Sequence, residues 1–248
     1  MSGEPQPRRT IRSFVQRAGR ITRAQERALE ESWPRFGIEF SPAPLDLDTV
    51  FGRRAPRVLE IGIGDGETLL ALAAAQPGTD FLGVEVHRPG IGHCLLGIES
   101  SGLTNVRLVA HDAVEVLAQQ LPDGSLDEVL LYFPDPWPKK RHHKRRIVQP
   151  GFVELIARKL KPGGTFRLAT DWAPYAEHML EVLRESPAFS NASPADDYVP
   201  RPDSRPLTKF ERRGERLGHE VFDLEFIKEG SDPARGLSPQ GTVPSRGV

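Results

Sequence analysis

From Tyr132 to Lys139 the chain reads Tyr-Phe-Pro-Asp-Pro-Trp-Pro-Lys, which sets one carboxylate, Asp135, between two prolines with a third close behind. Proline fixes φ and has no N–H to donate, so this stretch is a rigid loop. Packing gives little reason to hold a lone acid between two prolines. A rigid acid at the edge of a cleft, with Trp137 as an aromatic wall, can accept the paired N1–H and N2–H of a guanine. Directly behind it comes an acid-free run, Lys139-Lys140-Arg141-His142-His143-Lys144-Arg145-Arg146. A basic run is ordinarily a solvated face, but next to a rigid acid loop it reads as a grip on a polyanion. If all six of its Lys and Arg charges met phosphates, the log–log salt slope of binding would be roughly −4 to −5.

A second constellation lies upstream, in Leu59-Glu60-Ile61-Gly62-Ile63-Gly64-Asp65-Gly66-Glu67. Glycines at a strand-to-helix turn let a ligand approach the backbone where a β-carbon would block it. The dinucleotide fingerprint requires a third glycine where Glu67 stands. Glu60 and Glu67 would repel a pyrophosphate and attract a sulfonium or an ammonium, which counts against a nicotinamide oxidoreductase. Glu85 ends the next strand-like run, where a carboxylate can accept both hydroxyls of a ribose. Asp112 ends the third and could accept from an adenine amino group. Any one of these acids alone reads as a solvated strand end. Three of them, at successive strand ends beside a glycine turn, mark the edge where open parallel sheets bind ligands.

These residues need a scaffold, and the apolar pattern supplies one. Strand-like runs occupy Arg57–Ile61, Asp80–Val86, Val106–Ala110, Glu128–Phe133 and Thr165–Ala169, with helical stretches such as Glu67–Gln76 and Gln149–Leu160 between them. That alternation predicts βαβ units and a parallel sheet with helices on both faces. A last apolar run, Glu220–Ile227, fits a strand added after the parallel series. The spacing predicts one domain over 11–230, a basic amphipathic helix within 11–35 that breaks near Gly19, and a surface loop over 190–206. Residues 1–10 and 231–248 read as disordered tails.

Composition narrows the class. The net charge of −1 would argue against a nucleic-acid partner, but the charges are segregated: residues 8–23 hold six arginines and no acid. No apolar run approaches the ~18 residues of a membrane span. The first residues lack the apolar core of a secretory signal. The single cysteine, Cys94, excludes an internal disulfide and fits a reducing compartment, so the cytoplasm is the expected location. Cys94 reads as a packing residue. His142 and His143 sit within a cationic run that disfavours another cation, so no metal is expected. The sequence leaves both a monomer and a homodimer open.

The three strand-end acids and the glycine turn resemble the S-adenosylmethionine site of the class I methyltransferase fold, a Rossmann-like, mostly parallel seven-stranded sheet. Phe133-Pro-Asp-Pro-Trp-Pro-Lys139 with His143-Lys-Arg-Arg146 closely resembles the bacterial tRNA (guanine-N7-)-methyltransferase family, often called TrmB. Thr208-Lys209-Phe210-Glu211-Arg212-Arg213-Gly214 and Thr170-Asp171-Trp172 are similar to further hallmarks of it. Arg12–Arg20 and Gly83–Gly90 fit as well, so the resemblance covers about residues 11–229. It implies methyl transfer from S-adenosylmethionine to N7 of guanosine 46 in the variable loop of tRNA. Carried over by position, it implies that Glu60, Gly62, Gly64, Glu85, Asp112 and Asp135 line the cofactor site. Lys139, Asp171, Thr208, Lys209, Phe210 and Glu211 would hold the substrate, and Arg141, His142, His143, Lys144, Arg145 and Arg146 would contact the RNA. Asp135 would be the catalytic residue, a fixed carboxylate that orients the base and stabilises the charge developing on it.

Two rivals stay open on the residues. Asp-Pro-Pro-aromatic loops after a fourth strand serve amino-group methylation, although here Trp137 and Pro138 stand in the last two places. A non-catalytic RNA-binding subunit on the same scaffold would be expected to lack the cofactor acids or Asp135, and all of them are present.

Overall fold

The computed structural model describes residues 13–14, 19–208, 211–212, 218 and 220–230. Helix α1 (Arg23–Glu31) starts at Thr22, whose hydroxyl accepts from Gln25 N while the Gln25 side chain accepts from Thr22 N. This capping box satisfies two of the N–H groups orphaned at a helix start. The helix expected over 11–35 is therefore shorter among the described residues: 19–22 are not helical, and 11–12 and 15–18 lie outside the description. A one-turn helix α2 (Trp33–Phe36) follows, with Pro34 in its first turn, and then the two-residue strand β1 (Gly37–Ile38).

The central series runs α3 (Leu47–Phe51), β2 (Arg57–Ile61), α4 (Glu67–Ala75), β3 (Asp80–Val84), α5 (Arg88–Ser100), β4 (Val106–Val109), α6 (Ala113–Glu115), β5 (Leu126–Tyr132), α7 (Pro150–Lys159), β6 (Leu160–Thr170) and α8 (Ala173–Arg184). Strands β7 (Phe189–Asn191) and β8 (Phe222–Lys228) complete it. The strand order is β1-β4-β3-β2-β5-β6-β8-β7, parallel from β1 to β6, with β8 antiparallel to β6 and β7 antiparallel to β8. The described sheet has eight strands: the six located as apolar runs, and two more, β1 and β7, which are edge strands of two and three residues, too short to show an apolar pattern.

Helices cover both faces. Leu69, Cys94, Leu95 and Ile98 pack α4 and α5 on one side, while Phe152, Ile156, Tyr175, Met179 and Leu183 pack α7 and α8 on the other. The Lys161-Pro-Gly-Gly stretch forms a bulge in β6. Leu126 pairs with Leu160, but Glu128 pairs with Thr165. The 190–206 stretch is less loop-like than its composition implies. It opens with β7, Val199 bridges Asp223, and Arg205 is 2% exposed because its charge is drawn in to Asp223.

Successive strands from β2 step one way through β3 and β4; the chain then returns to the far side of β2 for β5 and β6. The switch point lies between β2 and β5. The loops leaving these two strands are the glycine turn and the Pro134-Asp135-Pro136 loop, so the topology itself brings the two constellations together.

Candidate active site

A cavity of about 220 Å³ opens at this switch point, lined among others by Gly62, Glu85, Asp112, Tyr132, Phe133 and Asp135. Four of the residues expected at a cofactor thus share one wall. Gly62 and Gly64 have φ of 74° and 54°, and a β-carbon at either would meet nothing within 4 Å. The turn is bent in a way that favours glycine and leaves open space above its backbone. Gly90 supports it from behind, because a β-carbon there would lie 2.3 Å from the Gly64 carbonyl oxygen.

Glu85 is held by three backbone donors: Gly64 N at 2.9 Å, Val86 N at 2.7 Å and His87 N at 2.9 Å. They fix its carboxylate and tie the end of β3 to the glycine turn. Asp112 caps α6 by accepting from Val114 N at 2.9 Å, and it lines the cavity. Glu60 does not line the cavity. It is buried, and its Oε2 has no hydrogen-bond partner among the described residues. Burial, and then the charge of Glu85, push its carboxyl up to about 8. Burial likewise pushes the Cys94 thiol up to about 12, which leaves it no thiolate for nucleophilic chemistry at neutral pH.

The loop after β5 is strained as well as rigid. Phe133 and Trp137 flank Pro134-Asp135-Pro136 with φ of 51° and 46°, in the left-handed region that bulky residues avoid. Such strain persists where surrounding contacts over-determine it. Phe133 N donates to Ala169 O at 2.8 Å, and Trp137 Nε1 donates to Ser13 O at 3.1 Å. Arg145 lies over the Trp137 ring at 4.9 Å, and His142 meets the same ring edge-on. Asp135 is exposed on the lip of the cavity.

The basic run forms a short 3-10 helix, Lys140–Arg145, with Lys139 at its cap and Lys139, Lys140, Arg141 and Lys144 exposed. Crowding shows at His142. Partial desolvation and the charges of Arg141, Arg145, Lys139 and Lys144 hold its imidazole below the ordinary histidine range. Arg146 departs from the expected phosphate role. It is 4% exposed, donates to Pro136 O at 3.0 Å and Pro174 O at 3.2 Å, and stacks over Tyr175. Its guanidinium ties the acid loop to the start of α8.

The remaining expected substrate residues are not gathered into the cavity. Lys139 is exposed, Asp171 is half-buried just before α8, and neither lines the cavity. Thr208 uses its hydroxyl to accept from Glu211 N at 3.2 Å, while Lys209 and Phe210 lie outside the described residues. Glu211 is turned inward rather than presented on a surface. It forms an ion pair with Arg205 at 2.8 Å, and both side chains are 1% exposed. No motif marks Arg205 or Arg146 as organising residues: one sits in a Pro/Asp/Ser-rich stretch and the other in a basic run, where arginine ordinarily faces solvent.

Residues 54–224 match the family model described as "Putative methyltransferase". The tRNA (guanine-N(7)-)-methyltransferase of Pseudomonas entomophila is 59% identical over 226 residues, 91% of this chain and 94% of that protein. Its counterpart in Yersinia pseudotuberculosis is 60% identical over 221 residues, 89% of this chain and 92% of that protein. The chain belongs to the tRNA (guanine-N(7)-)-methyltransferase family.

Solved structures agree on the fold of this family member. The 16S rRNA methyltransferase KamB superposes with a TM-score of 0.52 at 16% identity, over 75% of this chain and 93% of that one. The aminoglycoside resistance methyltransferase NpmB1 gives 0.50 at 17% identity, over 74% and 92%. The methyl donor of a class I methyltransferase is S-adenosylmethionine, and the residues present fit it. The glycine turn leaves an open cradle, fixed acids edge the cavity, and a buried carboxyl oxygen beneath it lacks a donor among the described residues. The described residues contain no group of three His, Cys, Asp or Glu able to hold a metal ion, and no helix long and apolar enough to cross a membrane.

Proposed function

We propose that this chain transfers a methyl group from S-adenosylmethionine to N7 of a guanosine in tRNA, and that the guanosine is position 46 of the variable loop. One observation carries the reading: Asp135 stands on the lip of an acid-edged cavity, and an exposed cationic helix begins five residues further on. The relatives' names support both the base and the tRNA. When bound, S-adenosylmethionine supplies an electrophilic methyl group carried on a sulfonium. Glu60, Glu85 and Asp112, with Gly62 and Gly64, would hold it.

N7 of guanine carries an in-plane lone pair and no proton, so the attack needs no general base. Catalysis then rests on positioning and electrostatics. Asp135 accepts from the guanine edge, orients the ring and stabilises the positive charge that methylation leaves on it. Lys139, Lys140, Arg141, Lys144 and Arg145 hold neighbouring phosphates, which offsets the few kcal/mol of unstacking needed to bring the base to the cleft. Trp172, 40% exposed beside Asp171, offers an apolar face to solvent.

The test is incubation of the purified chain with unmodified tRNA and labelled S-adenosylmethionine, followed by nucleoside analysis. N7-methylguanosine at position 46 is expected. N2-methylguanosine or N6-methyladenosine would replace this reading with amino-group methylation, and RNA binding without transfer would replace it with a non-catalytic role.

A further inference from the structure

Arg205 belongs to no motif of the acid loop or the glycine turn, yet it is among the largest fully buried side chains described. Its Nε and Nη2 donate to the two oxygens of Asp223 at 2.8 and 2.9 Å, a bidentate fork that anchors it to β8. Its Nη1 forms the 2.8 Å ion pair with Oε1 of Glu211. The guanidinium carbon lies 5.8 Å from the ring centres of both Tyr132 and Phe133. Two acids and two aromatic rings therefore fix the position and plane of one planar cation.

We propose that Arg205 is a positioning residue for methyl transfer, setting Glu211 and the Phe133 end of the acid loop in one fixed relation. The inference rests on the proposed function and adds to it the group that ties Glu211 to the root of the acid loop. Phe133 is followed directly by Pro134 and Asp135, so whatever locates its ring also locates the root of the acid. Glu211 has one oxygen on Arg205, while its buried Oε2 has no hydrogen-bond partner among the described residues. A buried acceptor left in that state is unfavourable, and a substrate N–H or O–H would satisfy it. Arg205 thus turns Glu211 inward while leaving it one acceptor to offer. A lysine cannot reproduce this, because an ammonium lacks the planar fork that serves Asp223 and Glu211 together.

The experiment compares wild type, Arg205→Lys, Glu211→Gln and the double variant. It measures kcat and KM for unmodified tRNA, cofactor Kd by calorimetry, and Tm. Arg205→Lys keeps a cation at the site, so it should fold, with cofactor Kd within about threefold of wild type and kcat lowered about tenfold or more. Because Arg205 acts through Glu211, the double variant should be no slower than the slower single variant. Unimpaired kcat in Arg205→Lys, losses that multiply in the double variant, or a loss confined to Tm and cofactor binding would each overturn the proposal. Those results count against Arg205 alone when wild type forms N7-methylguanosine. A wild type that forms none overturns the functional reading and this inference together.

Discussion

Arg146 reaches back along its own chain to donate Nε–H to the carbonyl of Pro136 at 3.0 Å, clasping the loop that carries Asp135. The same guanidinium donates to Pro174 O at 3.2 Å, so the acid loop and the start of α8 move as one piece. A basic run written as eight consecutive residues therefore divides in the folded chain into exposed charges and one internal brace.

That division predicts two different phenotypes. Arg146→Ala removes buried donors and should cost about 2–3 kcal/mol of stability. At about 2–4 °C per kcal/mol for a chain of this size, differential scanning calorimetry should show Tm lower by roughly 4–12 °C. Lys144→Ala should leave Tm unchanged and reduce the log–log salt slope of tRNA binding by about 0.7–0.9. An Arg146→Ala protein with native Tm and a reduced salt slope would return that residue to the phosphate grip.

Asp135→Asn preserves shape while removing the charge and turning one acceptor oxygen into an N–H donor. Turnover should fall on the order of 10²-fold, as for loss of a transition-state electrostatic partner, while cofactor Kd stays close to wild type. Single-turnover methylation with saturating cofactor is the measurement, and wild-type turnover would remove Asp135 from the chemistry.

Glu60 predicts a pH dependence whose sign follows from its burial. Its carboxyl is raised from an ordinary 4.5 to about 8, so between those values the folded chain keeps a proton that the unfolded chain has released. Its contribution to stability is therefore full below pH 4.5 and lost as pH rises toward 8. Glu60→Gln should flatten this part of the stability profile of the cofactor-free protein. A cationic ligand beside Glu60 favours the ionised form, so cofactor binding at neutral pH should release a proton. Calorimetry in buffers of different ionisation enthalpy would detect it, and the variant should lose it.

His142 predicts the opposite proton traffic. Its neighbours keep the imidazole below the ordinary range in the free protein, and bound phosphates would raise it again. tRNA binding should take up a proton and tighten as pH falls through the histidine range. His142→Gln should bind with a flatter pH profile, and an unchanged profile would show that this imidazole does not face the RNA.

Most of the scaffold was legible in the residues because the signals are local. Strand-like apolar runs alternating with helical stretches located β2 to β6, and the glycines and acids at the ends of β2, β3 and β4 stood where parallel sheets bind ligands. The prolines around Asp135 mark a rigid loop from residue type alone. Edge strands β1 and β7 escaped because two or three residues carry no apolar pattern, and the described helix starts only after Thr22, where Thr22 and Gln25 form a capping box.

The sequence by itself determined the fold class, the cofactor edge and the pairing of a rigid acid with a cationic run, since each is a matter of residue type at short spacing. Tertiary structure alone decided which charges of the Arg146 and Arg205 segments turn inward. An arginine is buried only where carbonyls, carboxylates and aromatic faces satisfy it. For Arg146 these come from Pro136, Pro174 and Tyr175, and for Arg205 from Asp223, Glu211, Tyr132 and Phe133, most of them distant along the chain. The rigid acid loop foreseen from its prolines is thus braced from both ends by arginines whose type and spacing would place them in solvent.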